Sequence, residues 1–107
     1  MLYEWREYDV RPGALPAVQD RFANIVSRYF EKHGIEPIAF WTDVVGTSNR
    51  LTYVVRYEDM AHRERAWGAF LSDPDRLAEF VPTEPDGPLV TQIRNRLLQP
   101  TTFSPLQ

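Results

Sequence analysis

The sequence predicts a single α+β domain with the element order β-α-β-β-α-(α)-β. Three observations predict it. Two stretches with apolar residues three and four apart read as helices. Four stretches rich in β-branched and aromatic residues read as strands. The two main helices each sit between strands, with a hairpin between them. At 107 residues, the chain is long enough for one domain and too short for two. Residues 1–107 are therefore read as one unit.

The first strand covers residues 2–10. Leu2, Glu4, Arg6 and Tyr8 alternate with Tyr3, Trp5 and Glu7, so the two sets point to opposite faces. Arg11-Pro12-Gly13 ends it in a turn. Leu15, Val18, Phe22, Ile25, Val26, Tyr29 and Phe30 then line one helical face. Pro16 suits the first helical turn, and Gly34 suits a left-handed C-terminal cap.

Residues 37–45 and 50–57 read as a hairpin around Gly46-Thr47-Ser48-Asn49. Asp59 caps a second helix with Met60, Arg63, Trp67 and Phe70 on one stripe. Asp73-Pro74 opens a short further helix through Phe80. Pro82 to Pro88 is a proline- and acid-rich loop. Residues 89–98 form the last strand, and residues 99–107 an extended C-terminal tail.

This order is that of the ferredoxin-like βαββαβ fold. Both main helices lie on one face of a four-stranded antiparallel sheet. A sheet covered on one face is expected to turn a polar face to water. Here neither face is consistently polar. Ile38, Phe40 and Val44 oppose Ala39, Trp41 and Val45, while Leu51, Tyr53, Val55 and Tyr57 oppose Thr52, Val54 and Arg56. Burying such a side chain stabilises by roughly 1.5–3 kcal/mol. The sequence thus favours a homodimer in which a second copy covers the open face. The alternative is a monomer with the ordinary scatter of exposed apolar residues.

Composition narrows the function classes. The net charge of −3 offers no general attraction to nucleic acid or to an anionic membrane surface. With no cysteine, disulfides, thiolate metal sites and thiol nucleophiles are excluded. No apolar run reaches the roughly 18–20 residues of a membrane span. Met1 to Glu7 lacks the apolar core of a signal peptide, so a cytoplasmic location is expected.

Familiar catalytic and phosphate-binding motifs are absent. The two histidines do not make a metal site: His33 ends the first helix, where it complements the dipole, and His62 lies one step off the apolar stripe of the second. No metal, haem or flavin is required, and no cofactor is expected. The Arg94-Asn95-Arg96 cluster is too small for a nucleic-acid surface.

Glu4, Arg6 and Tyr8 are the candidate site. Period two places them on one face of a central strand. If Trp5 faces the helices, these three face the dimer cavity, where Trp41 and Asp43 join them. A carboxylate beside a guanidinium keeps both charged and presents fixed donors and acceptors. Such a lining suits a small organic ligand, with Arg6 as anion anchor and Glu4 or Asp43 as base. The alternative is an ion pair that only fills the interior. Arg63, Trp67 and Phe70 are read as structural, with Arg63 pairing with a carboxylate under the helix and Trp67 in the core.

With these residues in place, the chain resembles the NIPSNAP family over nearly its whole length. Tyr3-Glu4-Trp5-Arg6-Glu7-Tyr8 is similar to the family's E-x-R-x-Y opening, followed by Pro12-Gly13. Phe40-Trp41-Thr42-Asp43-Val44-Val45-Gly46, then Asn49, resembles its strand-and-turn segment. Tyr57-Glu58-Asp59 leads to Arg63, Trp67, Phe70 and Asp73-Pro74. The end, Leu98-Gln99-Pro100-Thr101-Thr102-Phe103-Ser104-Pro105-Leu106, is similar to the family's terminal signature. The resemblance implies a dimeric α/β barrel of a compact, bacterial-type member, but no agreed activity. The wider superfamily includes cofactor-free monooxygenases and isomerases. Two functions stay open: a small-molecule binding protein or cofactor-independent enzyme using a barrel cavity, and a non-enzymatic homodimeric interaction module. A ligand-sized cavity, on the order of 300 Å³ or more, favours the first.

Overall fold

The computed structural model describes residues 1–107. Strand β1 (Leu2–Val10) is followed by a helical stretch made of α1 (Leu15–Arg21), a π turn (Phe22–Val26) and α2 (Ser27–His33). Strands β2 (Glu36–Thr42) and β3 (Arg50–Tyr57) form the hairpin. Helices α3 (Met60–Ser72) and α4 (Pro74–Phe80) and a 3₁₀ turn (Val81–Thr83) lead to β4 (Val90–Leu98). The sheet order is β2-β3-β1-β4, with every pair antiparallel. This is the ferredoxin-like α+β architecture.

The expected caps form. Gly34 takes the left-handed conformation at φ 73°, which costs little without a Cβ. Asp59 accepts from His62 N at 2.8 Å. Asp73 accepts from the backbone N–H groups of Asp75 and Arg76 at 2.9 and 3.4 Å. Pro74 follows at the first helical position, where its missing N–H is no loss.

The register decides which side chains share a face. Glu4 lies opposite Val55 and Leu97, Arg6 opposite Tyr53 and Asn95, and Tyr8 opposite Leu51 and Ile93. This is the face the helices cover. Phe22 packs on Tyr8, with ring centroids 5.8 Å apart. Phe30 packs on Tyr53, Trp67 and Phe70. Trp5 points the other way, opposite Val54 and Arg96, and stacks on Trp41 at 6.0 Å.

Four expectations are corrected. The face carrying Glu4, Arg6 and Tyr8 meets the helices, not the open side of the sheet. Trp5 is the outward aromatic, since the Glu4 face packs Tyr8 and Tyr53 on the helices and meets Arg63 of α3. Strand β2 stops at Thr42, three residues early. The Asp43 carboxylate accepts from Thr47 N at 2.8 Å and closes a loop that leaves Val44 and Val45 in solvent. The tail is not extended throughout. It turns at Thr102–Phe103 and folds back over the open face, where Tyr3 Oη donates to the Gln107 carbonyl at 2.7 Å. Finally, Met60 is half exposed, so the buried stripe of α3 comprises Ala66, Trp67 and Phe70.

Candidate functional site

A cavity of about 200 Å³ lies between the sheet and the helices. β1 and β4 supply Arg6, Tyr8, Val90 and Ile93. The first helical stretch supplies Arg21, Phe22, Val26 and Phe30. Trp67, Phe70 and Leu71 come from α3, and Arg76 and Phe80 from α4. The wall is mostly aromatic and aliphatic, interrupted by three guanidinium groups and one phenol. The π turn borders it. Arg21, Phe22 and Val26 are all buried around this wider turn, a feature often found next to functional sites.

Under the cavity floor lies a charged cluster centred on Glu4, whose side chain is fully buried. Its carboxylate accepts from Arg6 Nη1 at 3.0 Å, Arg63 Nε and Nη2 at 3.1 Å each, Tyr57 Oη at 2.8 Å and Asn95 Nδ2 at 2.8 Å. Burial alone would raise its pKa. The bonds from Arg63, Asn95 and Tyr57 and the charge of Arg6 outweigh that and hold it at about 2. Glu4 therefore stays ionised, with both oxygens engaged. Tyr57, buried against that carboxylate, is pushed well above the usual phenol range by desolvation, and its bond to Glu4 adds to the rise. Trp67 Nε1 donates to the Tyr57 oxygen.

Arg6 bridges this cluster to the cavity. Besides Glu4, it donates from Nε to Tyr53 Oη at 2.8 Å and from Nη2 to Tyr8 Oη at 3.3 Å. Its guanidinium carbon lies 4.5 Å from the Trp67 ring centroid. A guanidinium has five N–H groups, and these bonds use three, leaving one on each Nη. The Tyr8 and Tyr53 hydroxyls are 2.8 Å apart. Burial pushes the Tyr53 phenol well above its usual pKa, so it keeps its proton. Tyr53 is enclosed, and Tyr8 borders the cavity. When Tyr53 donates to Tyr8, the Tyr8 proton is left for a ligand.

Of the candidate residues, the structure brings Glu4, Arg6 and Tyr8 together. It separates Trp41 and Asp43 from them. Trp41 sits on the opposite face of the sheet with Trp5, and Asp43 lies in the hairpin loop. Neither Glu4, which is saturated, nor Asp43, which is remote, is placed to act as a base in this cavity. Arg63 pairs with a carboxylate under α3 as expected, and Trp67 and Phe70 are buried in the core.

Two lining residues escape a sequence reading, Arg21 and Arg76. Both are 7% exposed. Their one signal is spacing: Arg21 follows the buried Val18 by three residues, and Arg76 precedes Phe80 by four. Arginine at such positions reads by default as solvated. The two histidines serve as ties. His33 Nε2 lies 2.7 Å from Asp73 Oδ2. His62 accepts from Glu58 N and bonds through Nε2 to the Gly34 carbonyl, joining the end of α2 to the start of α3.

The chain's relatives share this arrangement of elements. The family profile described as NIPSNAP matches residues 3–105. A NIPSNAP family protein of unknown function from Agrobacterium tumefaciens superposes with a TM-score of 0.86 at 25% identity, covering 100% of this chain and 94% of that one. An uncharacterised NIPSNAP-like domain protein from Burkholderia xenovorans gives 0.83 at 26% identity, covering 97% and 88%. An antibiotic biosynthesis monooxygenase gives 0.63 at 13% identity, covering 94% and 99%, which shows a shared fold alone. No functionally curated protein matches the sequence. No helix is long and apolar enough to cross a membrane. The match over residues 3–105, carried by strands and helices in the same order, makes this chain a member of the NIPSNAP family.

Proposed function

We propose that the protein binds a small organic molecule in the cavity between sheet and helices. One observation carries the reading: a largely apolar cavity has a polar corner where Arg6 keeps two unpaired N–H groups beside the Tyr8 hydroxyl. Its 200 Å³ falls short of the roughly 300 Å³ expected of a ligand-sized cavity, which taken alone favours the interaction module; the polar corner supports binding of a smaller molecule. The ligand is therefore of single-ring or short-chain size, with an oxygen that accepts from Arg6. If the site also catalyses, as a cofactor-independent monooxygenase or isomerase would, the proton-bearing group at hand is Tyr8, since Glu4 is committed to its five donors.

The open face of the sheet supports a homodimer as the working assembly. Trp41 is 48% exposed there, stacked on Trp5 beside Ile38, Val54 and Leu98. Burial of these side chains against a second copy would add a large apolar contribution. The same face serves the second reading, a homodimeric interaction module whose cavity is only packing.

The experiment is a thermal-unfolding screen with small acids, phenols and quinones, mapped by amide chemical shifts. The expected result is a rise in Tm for at least one compound, with shifts around Tyr8, Phe22 and Ile93, lost in Ile93→Trp. Compounds that never perturb those residues would sink the cavity reading and leave the interaction module.

A further inference from the structure

We propose that Arg21 and Arg76 form a carboxylate-binding subsite in the cavity wall, so that the ligand is a small organic carboxylate. This rests on the cavity-binding reading and adds the chemical class of the ligand.

The two guanidinium groups come from different helices and converge on one ring. Each guanidinium carbon lies 4.6 Å from the centroid of Phe80, so the charges are at most twice that distance apart. Both residues are more than nine-tenths buried. Like charges held this close out of water repel each other unless an anion joins them.

The fold supplies little to join them. Arg76 donates from Nε to the Phe70 carbonyl at 2.7 Å and from Nη2 to the Leu71 carbonyl at 3.1 Å, and it has no carboxylate partner. The nearby acid, Asp73, is occupied by Lys32, His33 and the backbone N–H groups that it caps. Arg21 Nη1 donates to Thr83 Oγ1 at 3.3 Å. It lies 3.5 Å from a Glu84 oxygen that already accepts from Leu89 N at 2.9 Å. Arg21 Nε is buried with no acceptor at all. A buried charged donor without a partner is rare and costly in a folded protein.

Burial lowers the pKa of Arg76, with repulsion from Arg21 adding to the effect and Asp73 opposing it. An anion between the two would reverse that balance. The chemistry selects the anion. Guanidinium forks match the planar pair of carboxylate oxygens, while Phe22, Phe70 and Phe80 offer an apolar bed that a free inorganic ion leaves unused. Arg6 and Tyr8 would then take a second oxygen on the same molecule.

The test measures binding of benzoate, its neutral isostere benzamide, phenol and inorganic phosphate to the full-length protein, by calorimetry with amide shift mapping. Benzoate is expected to bind in the cavity at least tenfold more tightly than benzamide or phenol. Arg21→Gln should weaken benzoate at least tenfold and leave phenol unchanged. Arg76→Gln should weaken benzoate likewise; should it fail to fold, Arg21→Gln carries the test, with Arg21→Lys, which loses the planar fork, expected to recover only part of the benzoate affinity. Benzamide or phenol binding as tightly as benzoate would overturn the carboxylate subsite while leaving the cavity reading intact. Phosphate binding with no response to benzoate would overturn it too. No cavity shift with any probe would remove both.

Discussion

Arg63 on α3 reaches down to Glu4 on β1 and grips its carboxylate with two bonds of 3.1 Å, from Nε and Nη2. The pair joins the second helix to the central strand, 59 residues apart in sequence. Arg6 shares the same carboxylate through Nη1 at 3.0 Å and reaches Tyr53 and Tyr8 with its Nε and Nη2.

Arg63→Ala is expected to destabilise the protein by about 3 kcal/mol, at the low end of the range for breaking a buried pair. Arg6, Tyr57 and Asn95 stay on Glu4, which keeps the loss from being larger. Urea unfolding measures it; a midpoint unchanged within error would show that the pair adds nothing.

The same carboxylate predicts a pH dependence. Glu4 has a pKa of about 2 in the folded chain against 4.5 for the free side chain. The folded state binds this proton less readily, so the contribution is complete above about pH 4.5. It is lost as pH falls through 2, and amounts to roughly 3 kcal/mol. Stability of Glu4→Gln, compared with the parent between pH 5 and 2, should converge with it towards the acid end. Parallel curves across that window would contradict the prediction.

Trp67 packs on Phe30 and Phe70 and donates its indole N–H to Tyr57. Trp67→Ala should therefore cost about 3–5 kcal/mol. Differential scanning calorimetry reads this as a large drop in Tm, and a drop of only a degree or two would place Trp67 outside the core.

Gly46 holds φ 147°, and a Cβ there would meet Asp43 Oδ2 at 2.5 Å. Gly46→Ala is expected to cost about 1 kcal/mol and to loosen the hairpin loop. Faster amide exchange at Thr47, whose N–H the Asp43 carboxylate accepts, is the local readout.

The proposed homodimer makes a separate prediction. Sedimentation equilibrium at micromolar concentration should return twice the 12.5 kDa chain mass. Trp41→Glu places a charge on the open face and should shift the equilibrium to monomer without lowering helix content. A stable monomer of the unmodified chain would argue against a sheet-to-sheet partner.

Local patterns were legible where local physics decides. Asp59, Asp73-Pro74 and Gly34 mark helix ends because capping depends on a few neighbouring residues. Arg63 was legible as half of a pair, since an arginine on an apolar stripe either reaches water or pairs with a carboxylate below it, and pairing is favoured. The π turn at Phe22–Val26 left no trace in the spacing, because apolar residues four apart suit a regular helix equally well. Val44 and Val45 were misplaced for a related reason: β-branched residues favour strands, but an Asp43–Thr47 bond ended β2 before them.

Sequence alone determined the α+β order, the helix ends and the shared face of Glu4, Arg6 and Tyr8, because period-two alternation and capping act over short range. It could not say which side of the sheet that face looked onto. A strand's alternation is symmetric, and long-range contacts break the symmetry: the packing of Tyr8 and Tyr53 on the helix aromatics and the bonds from Arg63 to Glu4. The tertiary structure turned those residues toward the helices, sent Trp41 to the other side, and brought Arg21 and Arg76 from separate helices onto one phenyl ring. That convergence depends on packing between elements distant in the chain, which no local pattern encodes.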